Sequence, residues 1–279
     1  MMMKPMLPIS VEEPFDDPDY LFEPQFAGHR LLLSRKNSAV KLYTRYGNAC
    51  TRQYPELLAM PTDDDLVLDG LLCVIGEDGY IDEGRVKERF RLTGAAKIRA
   101  AAVKTPVHAV VFDILERNGR DLRALPLLER KQILHDCLDN NPRYSHSLYL
   151  PGEGTRLFAA VRKRGMKGMI AKRKDSAYVP GYSDGWKKVT SYSYAVVELG
   201  GYRKKQFGWL AFSRGRPIGV IGGAVPTADQ NWFYDVSTAG KTGEDRNFVY
   251  VKPGLRAKIR YRGQTPDGLL RAPEFIAFV

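Results

Sequence analysis

Glu23-Pro24-Gln25-Phe26-Ala27-Gly28-His29-Arg30 is the stretch that decides the fold, and it runs straight into the apolar triplet Leu31-Leu32-Leu33. Alone it reads as a strand with a glycine bend ahead of an arginine. Upstream, residues 1–20 are rich in Pro and Asp and read as irregular. Downstream, residues 29–35 and 39–45 flank Lys36-Asn37-Ser38, the pattern of a hairpin. Residues 53–60 read as a short helix, 66–75 as a buried strand and Glu77-Asp78-Gly79 as a turn. Residues 86–103 carry apolar side chains at near-helical spacing and read as one helix. Residues 107–115 form a β-branched strand, 126–139 and 154–164 read as helices, and 169–172 as a short strand.

After Trp186 helical periodicity disappears. Short strands at 194–199, 207–212, 218–221, 257–262 and 275–278 alternate with glycine turns, which predicts a small closed barrel.

Composition narrows the function classes. Of 279 residues, 44% are hydrophobic and 27% charged, the balance of an ordinary globular chain. No run reaches membrane-spanning length and the start lacks an apolar signal core, so a cytoplasmic protein with no membrane partner is expected. Cys50, Cys73 and Cys137 form no CxxC pair, and the four histidines, His29, His108, His135 and His146, are scattered. Neither a disulfide frame nor a metal site is expected from them. The net charge of +11 suits a polyanion.

The opening octapeptide resembles the first motif of the covalent nucleotidyltransferases, the ATP-dependent DNA ligases and their relatives, which reads K-x-D-G-x-R. Gly28 and Arg30 match it. Gln25 stands at the lysine position and Ala27 at the aspartate position. Thr44-Arg45-Tyr46-Gly47 with Tyr54-Pro55-Glu56-Leu57 resembles the next block. Leu68-Asp69-Gly70-Leu71-Leu72 resembles L-D-G-E-L, with Leu71 at the glutamate. Val111-Phe112-Asp113-Ile114-Leu115 resembles the motif whose aromatic ring stacks on adenine, and Leu125-Pro126-Leu127 with Arg130 continues it. Lys167-Gly168-Met169-Ile170-Ala171-Lys172 resembles E-G-x-x-x-K, with Lys167 at the glutamate. Trp186-Lys187-Lys188-Val189-Thr190 resembles W-x-K-x-K, with Thr190 at the second lysine. Arg260-Tyr261-Arg262, the run 265–271 and Pro273-Glu274-Phe275 are similar to the ending of bacterial repair ligases.

The resemblance spans nearly the whole chain. It implies an α+β nucleotidyltransferase (ATP-grasp-like ligase) domain over residues 1–190, followed by an all-β OB-fold barrel over 191–279. It implies ATP and Mg²⁺ as cofactors, nicked double-stranded DNA as partner, and a monomer. It carries nucleotide-binding roles onto Glu23, Gly28, Arg30, Arg45, Phe112, Lys172 and Lys188. In the barrel, Arg203-Lys204-Lys205 beside Tyr202, Phe207 and Trp209 reads as a DNA-binding face.

The family's reaction begins when a lysine amine attacks the α-phosphorus of ATP. AMP then passes to a 5′-phosphate at the nick, and the 3′-hydroxyl displaces it. A glutamine amide has a delocalised lone pair and is no nucleophile, so Gln25 blocks the first step. Ala27 and Leu71 cannot hold metal, and Lys167 should repel Mg²⁺ while attracting phosphate. A plainer reading stands beside each position. Gln25, Ala27 and Leu71 suit ordinary strand positions, Phe112 suits a core, Lys167 suits a helix end, and Arg30, Arg45 and Lys188 suit a solvated surface. Three functions remain open: a DNA-binding ligase unable to adenylylate itself, a ligase using Lys167 as relocated nucleophile or sealing DNA already adenylylated, and a non-enzymatic OB-type DNA-binding protein.

Overall fold

The computed structural model describes residues 4–77, 79, 81–223, 225–265 and 267–279. Met1-Met2-Met3, Asp78 of the expected turn and Pro266 of the C-terminal motif lie outside the described residues. The chain divides between Thr190 and Ser191 into two compact units.

The first unit runs β1 (Met6–Val11), β2 (Asp17–Pro24), β3 (His29–Lys36), β4 (Ala39–Thr44), β5 (Leu66–Cys73), α1 (Glu83–Arg91), α2 (Ala95–Lys104), β6 (His108–Arg117), β7 (Arg120–Asp121), α3 (Leu127–Cys137), β8 (Tyr144–His146), β9 (Leu150–Gly152), α4 (Gly154–Lys163), β10 (Gly168–Arg173) and β11 (Gly181–Thr190). These strands make two sheets. One has the order β1-β11-β10-β2-β9; the other has β4-β3-β5-β6-β7 with β8 beside β6. Leu31 and Leu33 point into the larger core with Leu42, Leu68 and Val111. Leu32, on the opposite face of β3, joins Met6, Leu115, Tyr178 and Trp186. The apolar triplet is therefore buried on both sides, which alternation along one strand permits.

Three expectations for this unit are corrected. The Pro/Asp-rich start is not irregular. β1 occupies a sheet edge, paired parallel to β11 with a register shift between Pro8 and Ile9, and an edge or bulge is where proline's missing N–H is tolerated. The expected helix at 53–60 is two 3₁₀ turns, Thr51–Gln53 and Pro55–Leu57. Pro55 drives Tyr54 out of the helical region, to φ −132°. The expected single helix at 86–103 is α1 and α2, because Leu92 turns extended (ψ 129°) and Gly94 starts the second helix.

The second unit runs β12 (Ser193–Arg203), β13 (Trp209–Ser213), β14 (Arg216–Ile221), α5 (Thr227–Thr238), β15 (Lys241–Glu244), β16 (Phe248–Tyr261) and β17 (Glu274–Phe278). Its sheet follows β14-β13-β12-β16-β15 with β17 on β16. The free side of β14 is met by Leu270, whose N–H donates to the Ile218 carbonyl at 2.7 Å. Trp209 is fully buried, its ring 4.6 Å from Phe233, 5.3 Å from Phe275 and 5.7 Å from Phe278. The expectation of a helix-free second half fails at α5. Its aromatic run Trp232-Phe233-Tyr234 has weak helix propensity, but Phe233 is a core plug held by Trp209 and Tyr202. Among the described residues no helix is long and apolar enough to cross a membrane.

Candidate nucleotide site

The sheet registers of the first unit line up the candidate residues in rows. Across β11, β10 and β2, Lys188 pairs with Ile170 and Ile170 with Glu23; one step along, Trp186 pairs with Lys172 and Lys172 with Leu21. Residues two apart on a strand share a face, so Trp186 with Lys188 and Ile170 with Lys172 project together. In the other sheet, Arg30 pairs with Leu71 and Leu71 with Val110. Beyond Val110 the register between β5 and β6 slips: Gly70 faces Val111 and Asp69 faces Asp113, leaving Phe112 as the extra residue. A bulge of this kind re-aims a side chain. Both sets line one cleft of about 810 Å³.

Gln25 lies just past the end of β2. Its N–H donates to the Gly168 carbonyl at 2.8 Å, which keeps it in step with β10 and brings its side chain to the cleft wall. Gly168 has φ +145°, and a β-carbon there would lie 2.1 Å from the Val189 carbonyl oxygen. Only glycine allows this close approach. Gly28 is equally constrained: a β-carbon would lie 2.3 Å from the Leu72 carbonyl oxygen and 2.9 Å from Leu71 Cγ. Gly28 therefore lies closely against the Leu71 side chain, and Leu71 is half-buried at the cleft wall instead of packed in a core. Ala27 lines a smaller neighbouring cleft. Gln25 and Lys167 line both.

Beneath the cleft lies a buried charge network. Arg30 donates to both carboxylate oxygens of Asp69, at 2.9 and 2.5 Å, and Tyr178 donates to Asp69 at 2.6 Å. The Arg30 guanidinium lies 5.2 Å from the Phe112 ring and 5.7 Å from Trp186. Glu23 accepts from Lys172 at 2.9 Å and from the Ser147 hydroxyl at 3.1 Å, and Lys131 lies 2.7 Å from its other oxygen. Burial opposes ionisation of Glu23, but the two ammonium groups outweigh it and hold its carboxyl below the ordinary range. Burial pushes Lys172 down to about 8, with Glu23 opposing and Lys131 reinforcing the fall. The Lys172 ammonium sits 4.2 Å from the Phe112 ring and 4.3 Å from Trp186.

Other expected site residues fall at the rim or elsewhere. Arg45 is exposed, its guanidinium 4.9 Å from the ring of Tyr46, and lines the same cleft. Lys167 is not simply a helix-end cation: its ammonium is 3.0 Å from Glu83 at the start of α1. In the second unit, Lys204 pairs with Glu244 at 3.3 Å, Arg203 lies 6.0 Å from the Phe248 ring, and Lys205 is exposed. The aromatics expected beside them do not form a face, since Trp209 is core and Tyr202 and Phe207 pack against it. The histidines are not all isolated either. His135 and His146 meet at 5.2 Å, although nothing in their spacing announced it.

Asp69, Tyr178, Lys131 and Ser147 complete the network and were not singled out from sequence. Asp69 lay inside a quoted motif and could have been found by its spacing to Leu71. Tyr178, Lys131 and Ser147 come from separate loops and helices with no local signal.

An adenine nucleotide fits this lining: an aromatic ring, apolar Ile170 and Val110, and cations at the rim. A divalent metal does not. Ala27, Leu71 and Lys167 offer it no oxygen, and Glu23, the one carboxylate lining the cleft among the described residues, is committed to Lys131 and Lys172. No group of three His, Cys, Asp or Glu side chains among the described residues is placed to hold such an ion.

Residues 2–190 match the family model described as the ATP dependent DNA ligase domain. The chain is 32% identical over 279 residues to the SPbeta prophage-derived DNA ligase-like protein LigB of Bacillus subtilis (strain 168), covering 99% of this chain and 98% of LigB. It is 30% identical over 281 residues to the multifunctional non-homologous end joining DNA repair protein LigD of Mycobacterium tuberculosis (strain ATCC 25618 / H37Rv), covering 90% of this chain but only 35% of LigD. A solved structure of mycobacterial DNA ligase D complexed with ATP and MES aligns with a TM-score of 0.61 at 27% identity, over 99% of this chain and 95% of that one. The architecture is that of a ligase nucleotidyltransferase domain followed by an OB-fold domain. By its matched domain, its fold and its full-length likeness to LigB, the chain belongs to the ATP-dependent DNA ligase family.

Proposed function

We propose that this chain binds nicked duplex DNA and an adenine nucleotide but does not charge itself with AMP. The observation that carries the reading is Gln25. An amide, its backbone held by Gly168, lines the cleft at the position that the motif resemblance gives to the family's reactive lysine. Gly28, Arg30, Phe112 and Lys188 keep the family's residue types along the same cleft. In this reading residues 1–190 are the adenylation domain, Glu23, Lys172 and Arg45 complete the nucleotide contacts, and residues 191–279 are the OB domain.

The test is denaturing mass spectrometry of the whole chain after incubation with ATP and Mg²⁺. The expected result is an unchanged mass. A second reading is favoured by one observation: Lys167 lines both clefts beside Gln25, where a relocated amine nucleophile would stand. An adenylyl adduct mapped to Lys167 would replace the first reading with that one. Sealing of a nick whose 5′-phosphate already carries AMP needs no lysine nucleophile, and the same preparation tests it directly.

For DNA, Arg203, Lys204 and Lys205 are the proposed contacts of the OB domain. Affinity for a nicked duplex is expected to fall with salt, and Arg203→Ala with Lys205→Ala to reduce the log–log slope by about two. A slope unchanged by the pair removes that face from the binding surface, and equal affinity for intact duplex favours a general DNA-binding role.

A further inference from the structure

We infer that the cleft takes its nucleotide without a divalent metal, the Lys167 ammonium meeting phosphate charge directly. This rests on the nucleotide reading above and deepens it. The argument is the charge lining. Arg30 and Lys172 are matched by the buried carboxylates of Asp69 and Glu23. Arg45, Lys167 and Lys188 line the cleft in addition, and no further carboxylate among the described residues does. Among the described residues, a phosphate chain entering this space meets five lysine and arginine side chains and a single carboxylate, Glu23, already paired with Lys131 and Lys172. A divalent ion arriving with it would meet Leu71 and the Lys167 ammonium where a metal-holding carboxylate would be needed, and Glu23 is already committed to its two lysines.

Lys167 is the residue best placed for this role. It stands where the two clefts meet, beside Gln25. Its contact with Glu83 fixes the long side chain from the outer side, since Glu83 lines the neighbouring cleft and not this one. The pair is partly exposed, with Lys167 at 42% of its side-chain surface. The ammonium therefore keeps both a tether and an open side. A cation held in this way carries one charge where a carboxylate-bound Mg²⁺ would carry two, but it needs no ligand shell.

Isothermal titration of the whole chain at constant ionic strength decides the matter, with ATP in excess EDTA, ATP in excess MgCl₂, and AMP in each. Free ATP is expected to bind about two- to fivefold tighter than its Mg²⁺ complex, the effect of one partly exposed charge contact. AMP is expected to show no such difference. Lys167→Met, checked for folding by circular dichroism, is expected to abolish the preference. Lys36→Met, at the exposed hairpin tip, is expected to keep it. Binding of ATP that requires Mg²⁺, or that is tighter with it, overturns the inference while leaving the nucleotide reading intact. So does a preference that survives Lys167→Met. No binding of either nucleotide in either buffer overturns the nucleotide reading itself.

Discussion

Joint substitution of Gln25→Lys, Ala27→Asp, Leu71→Glu and Lys167→Glu is expected to produce a chain that gains the mass of one adenylyl group with ATP and Mg²⁺, where the parent gains none. The four positions are set around one cleft or its shared wall, so the changes act on one site. Gln25→Lys exchanges two unbranched side chains and leaves the backbone bond to Gly168 in place. Leu71→Glu replaces the γ-branched side chain that faces Gly28 by one unbranched at Cγ, and directs a carboxylate toward the cleft. Lys167→Glu is the change with a structural cost, because it sets a carboxylate against Glu83 in place of a 3.0 Å ion pair. An exposed pair of this type contributes about 0.2–1 kcal/mol, so the fold should tolerate it, and adding Glu83→Gln removes the repulsion. Gln25→Lys alone is expected to yield far less adduct. Each missing electrostatic stabiliser typically costs about 2.7–4 kcal/mol in the transition state, and such losses act as a unit. A folded fourfold variant that stays unmodified would falsify the claim that these side chains alone separate the chain from an adenylylating ligase.

What could be read in the sequence followed from how far each residue's partners lie along the chain. The triplet Leu31-Leu32-Leu33 and the β-branched run before Leu115 announce strands by composition, and both form them. Gln25, Ala27, Leu71 and Lys167 were singled out by motif spacing alone, and the structure sets them along one cleft or the smaller one beside it. The buried network was not legible, since Glu23 meets Lys131, Ser147 and Lys172 at separations of more than a hundred residues. No local pattern encodes such a meeting. The helix α5 was missed for the opposite reason: its sequence is locally poor for a helix, and tertiary packing of Phe233 overrides that preference. β1 was missed because its proline, Pro8, suits only an edge or a bulge, and edges are defined by neighbours the sequence does not name. Around the basic run at Arg203, the flanking aromatics Tyr202, Phe207 and Trp209 serve the core, a role that their closeness in sequence to the charges does not reveal.

Arg130→Met is expected to destabilise the first unit by about 3–5 kcal/mol, the usual cost of stripping one partner from a buried ion pair. Arg130 and Asp113 are both fully buried. The guanidinium donates to the two Asp113 oxygens at 2.8 and 2.9 Å, and to the carbonyls of Leu125 at 2.5 Å and Ser176 at 2.9 Å. Methionine fills comparable space but leaves a buried carboxylate and two carbonyls without donors; only the Ile114 N–H, at 2.9 Å, still serves Asp113. With urea slopes of about 1–3 kcal/mol per molar, the midpoint should fall by at least about 1 M. The loss should reach the cleft as well. Asp113 follows the bulged Phe112, and Lys131 follows Arg130 on α3, so a shift of that helix loosens the hold of Lys131 on Glu23. Arg130→Met combined with Asp113→Leu removes the stranded charge and is expected to recover part of the stability, though not the part tied to the two carbonyls. A double variant no better than Arg130→Met alone would show that the carbonyls, and not the carboxylate, are what the arginine chiefly satisfies. A single-variant loss below about 1 kcal/mol would mean that water reaches Asp113 in solution, and that the pair is not the dry one its geometry describes.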